Sequence, residues 1–467
     1  MSELPIENYG LIGNMHTAAL VGMNGAIDWF CPERFDAPSV FARLLDKEKG
    51  GTFEITPQTE RATQKQFYWP DTNVLVTRFL CEEGVVEIVD YMPVGLPYEQ
   101  MRERWLIRRV KMVRGALPMR LICQPAFNYA RDPHETTITE KGAIFRTDDN
   151  TRIAIASPVA LAEDDGVVTA SFSINEGETL VFSLQLTEAN EDFLPALSPE
   201  EERTIFERTV NYWRHWLSHS TYTGRWREIV YRSALTMKLL TYEPSGAIVA
   251  APTMSLPEAI GGSRNWDYRY AWLRDAAFTV YGFIRIGFTE EAKAFSRWIE
   301  QRMQEMGESG TLQIMYTVDG QHEIEELTLD HLAGYQNSAP VRVGNAAYAQ
   351  MQLDIYGELM DALYLYNKYV EPVNYDLWMQ IVKMLDWVCN NWHLHDKGIW
   401  EIRGVDRPFV YSKVMLWVAL DRGIRLADKR SLPAPVERWR TTRDAIFTEI
   451  LTRGWNEEIE AFTQYYD

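Results

Sequence analysis

Ser198-Pro199-Glu200-Glu201-Glu202 marks the point where the hydrophobic period of this chain changes. Ser198 suits a helix N-cap and Pro199 the first helical position, and the acids that follow complement the positive end of a helix dipole. Before this point apolar residues come in short or alternating runs; after it they recur at helical spacing. The expected architecture is therefore multidomain, with an N-terminal antiparallel β-sandwich over 1–197, a helical linker over 198–224 and an all-α region over 225–467.

Upstream, Thr17-Ala18-Ala19-Leu20-Val21-Gly22 and Ala26-Ile27-Asp28-Trp29-Phe30 flank Asn24-Gly25, a strong hairpin signal. Further strands are expected at 73–80, 85–90, 105–110, 153–156, 167–172 and 179–184. Close spacing without intervening helices points to an antiparallel sandwich. Downstream, helices are expected over roughly 225–243, 272–287, 289–307, 346–371, 374–393, 409–428 and 435–453, about seven in all. Long loops at 244–271, 308–345 and 394–408 separate several of them, and such loops in a compact helical domain tend to be functional.

A chain of 467 residues with 46% hydrophobic and 24% charged residues is a globular protein of more than one core. Its formal net charge of −19 argues against nucleic acid or an anionic membrane surface as partner. Four widely spaced cysteines read as free buried thiols. The N-terminus lacks a basic and an apolar signal region, and no apolar run reaches membrane-spanning length, so a cytoplasmic protein is expected. None of the eight histidines sits in a metal-ligand spacing, and P-loop, GxGxxG and GxSxG motifs are absent. Neither a metal nor another cofactor is expected.

Two stretches place carboxylates among aromatic rings with an arginine close by. They are Gly398-Ile399-Trp400-Glu401-Ile402-Arg403-Gly404 and Asn265-Trp266-Asp267-Tyr268-Arg269-Tyr270-Ala271-Trp272-Leu273-Arg274-Asp275. Aromatic faces pack on pyranose C–H surfaces while Asp and Arg take fixed hydroxyls, so the mixture suits a sugar. Glu401 beside Trp400 is a candidate general acid with an apolar wall. Arg403 is expected to anchor a hydroxyl or a neighbouring carboxylate. A third stretch, Gln336 to Ala347, feeds the long helix, which Gly344-Asn345 would cap, and Arg342 is placed to reach the same cavity. The acidic stretch from Glu323 to Leu332 reads as a solvated face.

These motifs carry a resemblance to glycoside hydrolase family 15, the glucoamylase, glucodextranase and bacterial trehalase group. Ile6 to Asn14 and Gly25 to Phe41 resemble the start of its bacterial and archaeal members. Asn265 to Ala276, Pro340 to Ala347 and Gly398 to Gly404 are similar to its barrel signatures, in order along the chain. The resemblance implies a β-sandwich, a helical linker and an (α/α)6 toroid. It also implies inversion, with an acid and a base about 6.5–9.5 Å apart. By resemblance Glu401 is the acid, Arg274 and Asp275 grip the terminal glucose, and Tyr268 and Trp272 wall that subsite. The implied substrate is an α-glucoside: trehalose or a malto- or isomalto-oligosaccharide.

The chain departs from the family in one respect. Glu457-Glu458-Ile459 resembles the family's base segment, yet Gly454-Trp455-Asn456 and Phe462 to Asp467 look like an earlier segment that precedes several more helices. About seven helices set against twelve agree with that, so the toroid is expected to be incomplete at its C-terminal side. The general base is expected beyond the chain end. Two other readings are an inverting glucoside phosphorylase, in which phosphate replaces the base, and a non-catalytic glucan-binding fragment.

Overall fold

A computed structural model of the chain describes residues 4–59, 61–96, 105–149, 151–187, 193–307 and 310–466. The first residues of the N-terminal stretch, the start of the 308–345 loop and Asp467 lie outside the described residues. The chain divides into two compact units. One holds the residues up to Leu240 with Pro252–Tyr268 and Thr328–Val343; the other holds Thr241–Ala251, Arg269–Leu327 and the residues from Gly344 onward.

The first unit is built on fourteen strands: β1 (Tyr9–Gly13), β2 (Ala18–Gly22), β3 (Ala26–Phe30), β4 (Thr52–Pro57), β5 (Ala62–Tyr68), β6 (Leu75–Cys81), β7 (Gly84–Tyr91), β8 (Trp105–Gln124), β9 (His134–Thr139), β10 (Gly142–Thr147), β11 (Arg152–Ala156), β12 (Ala162–Asp164), β13 (Val167–Asn175) and β14 (Thr179–Thr187). All the named pairings are antiparallel. The Asn24-Gly25 hairpin forms as expected, with Leu20 opposite Trp29 and Gly25 at φ 83°.

β8, expected to be short, runs for 20 residues and serves both layers. Its first half pairs with β7 and β14, and its second half with β4 and β13. The corner is Gly115, at φ 78°, where a Cβ would lie 2.1 Å from the Glu83 carbonyl oxygen. Only glycine fits both the dihedral and the approach. Phe53, Phe79, Ile88, Val110, Leu121, Phe145 and Phe182 fill one shared core.

An ion pair is sealed within this unit. Arg108 and Asp90 are both fully buried, with Nε to Oδ1 at 2.8 Å. The remaining guanidinium nitrogens donate to the Phe53 carbonyl at 2.6 Å and the Gly25 carbonyl at 2.7 Å.

Helix α1 (Pro199–Leu217) starts as its sequence predicts, with Ser198 and Glu201 forming a reciprocal capping box. Phe206 and Val210 on α1 pack against Val76, Tyr91 and Ile107 of the sandwich. Glu202 is buried rather than serving only the dipole, pairing with Arg109 at 3.0 Å and accepting from Tyr91 at 2.9 Å. Helix α2 (Arg227–Leu239), expected with the helical domain, belongs to the first unit. Asn73 Nδ2 donates to its Leu235 carbonyl at 3.1 Å, and its Arg232 lies 3.9 Å from the Tyr68 ring centroid. The loop segments join this unit through similar ties: Trp29 to the Pro252 carbonyl at 2.7 Å, and Ala333 N–H to Asp46 at 3.0 Å.

The second unit contains α3 (Leu273–Ile286), α4 (Thr289–Glu305), α5 (Ile355–Tyr369), α6 (Tyr375–Asn391), α7 (Val410–Arg430) and α8 (Val436–Arg453). α3, α5 and α7 pack side by side as one row, and α4, α6 and α8 lie behind them as a second. This is the layering of an α/α toroid with fewer helices than the full twelve. The helix expected at 346–371 is shorter. Asn345 caps only a 3-10 turn at Ala346–Ala349, Gln350 is extended, and the α-helix begins at Ile355. Among the described residues no helix is long and apolar enough to cross a membrane. All four cysteines are free; three are buried and Cys389 is partly so.

Candidate active site

The N-terminal ends of α3, α5 and α7 are joined by polar contacts in the second unit. Trp272 and Arg274 stand at the start of α3, Gln352 and Asp354 just before α5, and Glu401 in the loop leading to α7. Carboxylates held at helix N-termini face the positive ends of the helix dipoles.

Glu401 closes a turn in which its N–H bonds the Gly398 carbonyl at 3.0 Å, and it sits at φ 50°. That left-handed backbone costs a non-glycine residue about 1–3 kcal/mol, strain that concentrates at functional positions. Its Oε1 accepts from Trp272 Nε1 at 2.7 Å and from Arg274 Nη2 at 3.0 Å. Two donors on one oxygen leave Oε2 as the atom able to carry a proton.

Arg274 is held from behind as well. Its Nη1 donates to Asp354 Oδ2 at 2.9 Å and to Gln352 Oε1 at 3.0 Å, and the Asp354 side chain is wholly buried. Burial opposes the guanidinium charge, but Asp354, Glu401 and Asp275 outweigh it and raise the arginine's pKa. Asp275 follows it on α3. Its carboxyl is reached by solvent yet crowded by protein. That crowding, with the charge of Glu401, pushes its pKa up against the attraction of Arg274. The Asp275 backbone carbonyl accepts from Thr279 Oγ1 at 3.0 Å, but its carboxyl accepts from no other described residue, so the carboxyl oxygens are available to a ligand hydroxyl.

A second tier braces this array. Asp396 Oδ2 accepts from Leu353 N–H at 2.8 Å and Ser412 Oγ at 2.7 Å, tying the segment before α5 to the start of α7. Lys413 caps the α6 end by donating to the carbonyls of Trp392 and Leu394. Glu358 in the first turn of α5 accepts from Tyr411 in the first turn of α7, and burial pushes its carboxyl up.

Burial also pushes Asp396 up to about 6, against its two hydrogen bonds. An unfolded chain releases that proton near about 3.9. The folded state therefore retains a proton that the unfolded state has lost, and stability falls as pH rises from about 4 to about 6. Asp396→Asn should abolish this dependence. Urea midpoints of the two proteins should diverge in favour of the variant across that window; parallel curves would contradict the assignment.

Of the residues expected from sequence, Glu401, Trp272 and Arg274 are in direct hydrogen-bond contact, and Asp275 adjoins them. Trp400 stands beside them with 66% of its surface exposed. Arg403 pairs with a carboxylate, Glu326, at 2.8 Å. Glu326 also accepts from the Ala346 N–H at 3.0 Å, and Ile324, Leu329 and Leu332 are buried, so the stretch from Glu323 to Leu332 is not simply a solvated face. Tyr268 and Arg342 belong to the first unit, where Arg342 donates to the Ser263 carbonyl at 2.8 Å and stacks on Trp266. Glu458 lies exposed in the hairpin joining Trp455–Asn456 to Ala461–Phe462.

Sequence reasoning missed Gln352, Asp354, Glu358 and Asp396. A continuous helix over 346–371 put Asp354 in its interior; an aspartate directly before an apolar helical run was the available signal for a helix start there.

Two family models match the chain. Glycosyl hydrolases family 15 covers residues 224–467, and a model described as trehalase-like, N-terminal covers residues 1–213. A trehalase of Thermoplasma volcanium is 35% identical over all of this chain and 74% of its own length. One of Thermoplasma acidophilum is 36% identical over 96% of this chain and 76% of its own, and one of Mycobacterium tuberculosis 33% identical over 99% and 70%. The chain belongs to glycosyl hydrolases family 15 and is classed as a glycoside hydrolase.

Proposed function

Starting from that family membership, we propose that the protein is an exo-acting, inverting hydrolase that releases glucose from the non-reducing end of α-glucosides, trehalose foremost. Glu401 is the general acid. The observation that carries this reading is the Glu401 carboxyl group itself. One oxygen is held by an indole and a guanidinium, and the other is left to deliver a proton to a glycosidic oxygen.

Asp275 and the spare N–H groups of Arg274 take hydroxyls of the terminal glucose, and the exposed Trp400 offers a ring face to it, while the buried Trp272 acts through its hydrogen bond to Glu401. Arg403 and Arg342 act through the loops they tie down. The general base, which would activate water on the opposite sugar face, is assigned to no residue here. The choice of trehalose rests on the names of the relatives.

The test is glucose release from trehalose, maltose, isomaltose and maltotriose, with the product anomer followed by NMR. With maltotriose, β-glucose as first product supports the reading and α-glucose overturns inversion; with trehalose, inversion gives one β- and one α-glucose, whereas α-glucose alone overturns it. Glucose 1-phosphate formed only with inorganic phosphate would replace the hydrolase by a phosphorylase. Asp275→Ala should lower kcat/KM by about 10- to 100-fold, the scale of one hydrogen bond to a charged group. Unchanged kinetics on every glucoside would remove Asp275 from the subsite.

A further inference from the structure

The first unit contains a cleft of about 490 Å³ between the Asn24-Gly25 hairpin strands, β4, the outer end of β8 and the segment around Tyr335. The chemistry assigned to Glu401 uses none of its residues. Its floor is a run of alternating acids and bases. Asp28, 3% exposed, accepts from Tyr9 Oη at 2.9 Å and Thr52 Oγ1 at 2.8 Å. Beside it Glu54 is shared by Arg43 at 3.3 Å and Arg120 at 3.1 Å.

Such a floor does little for stability. Asp28 accepts hydrogen bonds from neutral hydroxyls, and burial pushes its pKa up against the nearby charge of Arg43. A desolvated carboxylate lining a cleft marks a candidate ligand-binding group, and the cleft's size is that of a ligand site.

The lining also selects the ligand. An apolar molecule would strand the carboxylates and guanidinia without water. An anion would meet the carboxylates of Asp28 and Glu54, whereas Arg43 and Arg120, each paired with Glu54 through one nitrogen, keep other N–H groups for a neutral hydroxyl. A polyhydroxylated neutral molecule satisfies all of them, because each hydroxyl donates to a carboxylate and accepts from a guanidinium. The partly exposed phenol ring of Tyr9 offers a face for pyranose C–H groups. We propose that this cleft is a second saccharide-binding site, sized for a short neutral oligosaccharide and built entirely within the first unit. The glucoside reading above supplies only the choice of sugars to try.

The test measures maltose, trehalose and maltotriose binding calorimetrically to the whole chain carrying Glu401→Gln, which prevents turnover. Two cleft variants are added singly. Asp28→Asn removes the charge at constant shape, and Gln64→Trp fills the cleft from an exposed strand position. Saturable binding of at least one sugar, weakened roughly tenfold or more by each cleft variant and retained with Asp275→Ala, is the expected result. If Asp28→Asn does not fold, as judged by circular dichroism, Gln64→Trp decides alone. Absence of saturable binding, binding indifferent to the cleft variants, or displacement by inorganic phosphate but not by sugar overturns the proposal. Failure of hydrolysis with cleft binding intact would strike the catalytic reading and leave this one standing.

Discussion

Glu401→Gln should lower turnover of α-glucosides by roughly 10²-fold or more, the usual consequence of losing general acid catalysis. The amide oxygen can still accept from Trp272 and Arg274, so the turn and the array keep their geometry. What disappears is the second carboxyl oxygen, from which the proposed acid would deliver its proton. The loss should therefore fall on kcat, with KM little changed, since the hydroxyl ligands Arg274 and Asp275 remain. Wild-type and variant initial rates on trehalose and maltose check this. A kcat within a fewfold of wild type would remove Glu401 from the proton-donor role, whatever its contacts.

Arg108→Met should destabilise the first unit by about 3–5 kcal/mol, because it leaves the Asp90 carboxylate buried without its partner. Two backbone carbonyls, of Phe53 and Gly25, each lose the arginine's hydrogen bond in the same step, the Gly25 oxygen keeping that from the Ile55 N–H. The size of the effect comes from the group left behind rather than from the pair's own net worth. Arg108→Met combined with Asp90→Leu should consequently recover part of the loss. Urea unfolding followed by tryptophan fluorescence provides the measurement. Equal midpoints for the single and double variants would contradict the argument.

Much of the architecture was legible because it is written in near neighbours along the chain. The change of period at Ser198, the Ser198 cap followed by Pro199 and the Asn24-Gly25 turn each depend on a few consecutive residues, and each forms as read. Among the described residues, the helices from Arg227 onward follow from apolar spacing in the same way, apart from the start of the one drawn from 346. Where a long-range partner decides, the reading stopped short. β8 looked like a six-residue strand because nothing local shows that one strand crosses from one layer to the other at Gly115. The helix drawn from 346 failed because Ala346 to Gln352 has helical composition, while its side chains and backbone are claimed by Glu326, Arg274 and neighbours outside the segment.

The candidate site divides along the same line. The sequence by itself pointed to the candidate residues: Glu401 among aromatic rings, and Trp272, Arg274 and Asp275 at a helix start. Only the tertiary structure decided that Trp272 and Arg274 hold one oxygen of Glu401. It alone showed that Asp354 anchors Arg274, that Asp396 ties two helix starts together, and that Arg342 and Tyr268 belong to the first unit. The reason is physical. Propensity and capping act over a single turn of chain, whereas a buried charge takes its partner from whichever helix end the packing brings within about 3 Å.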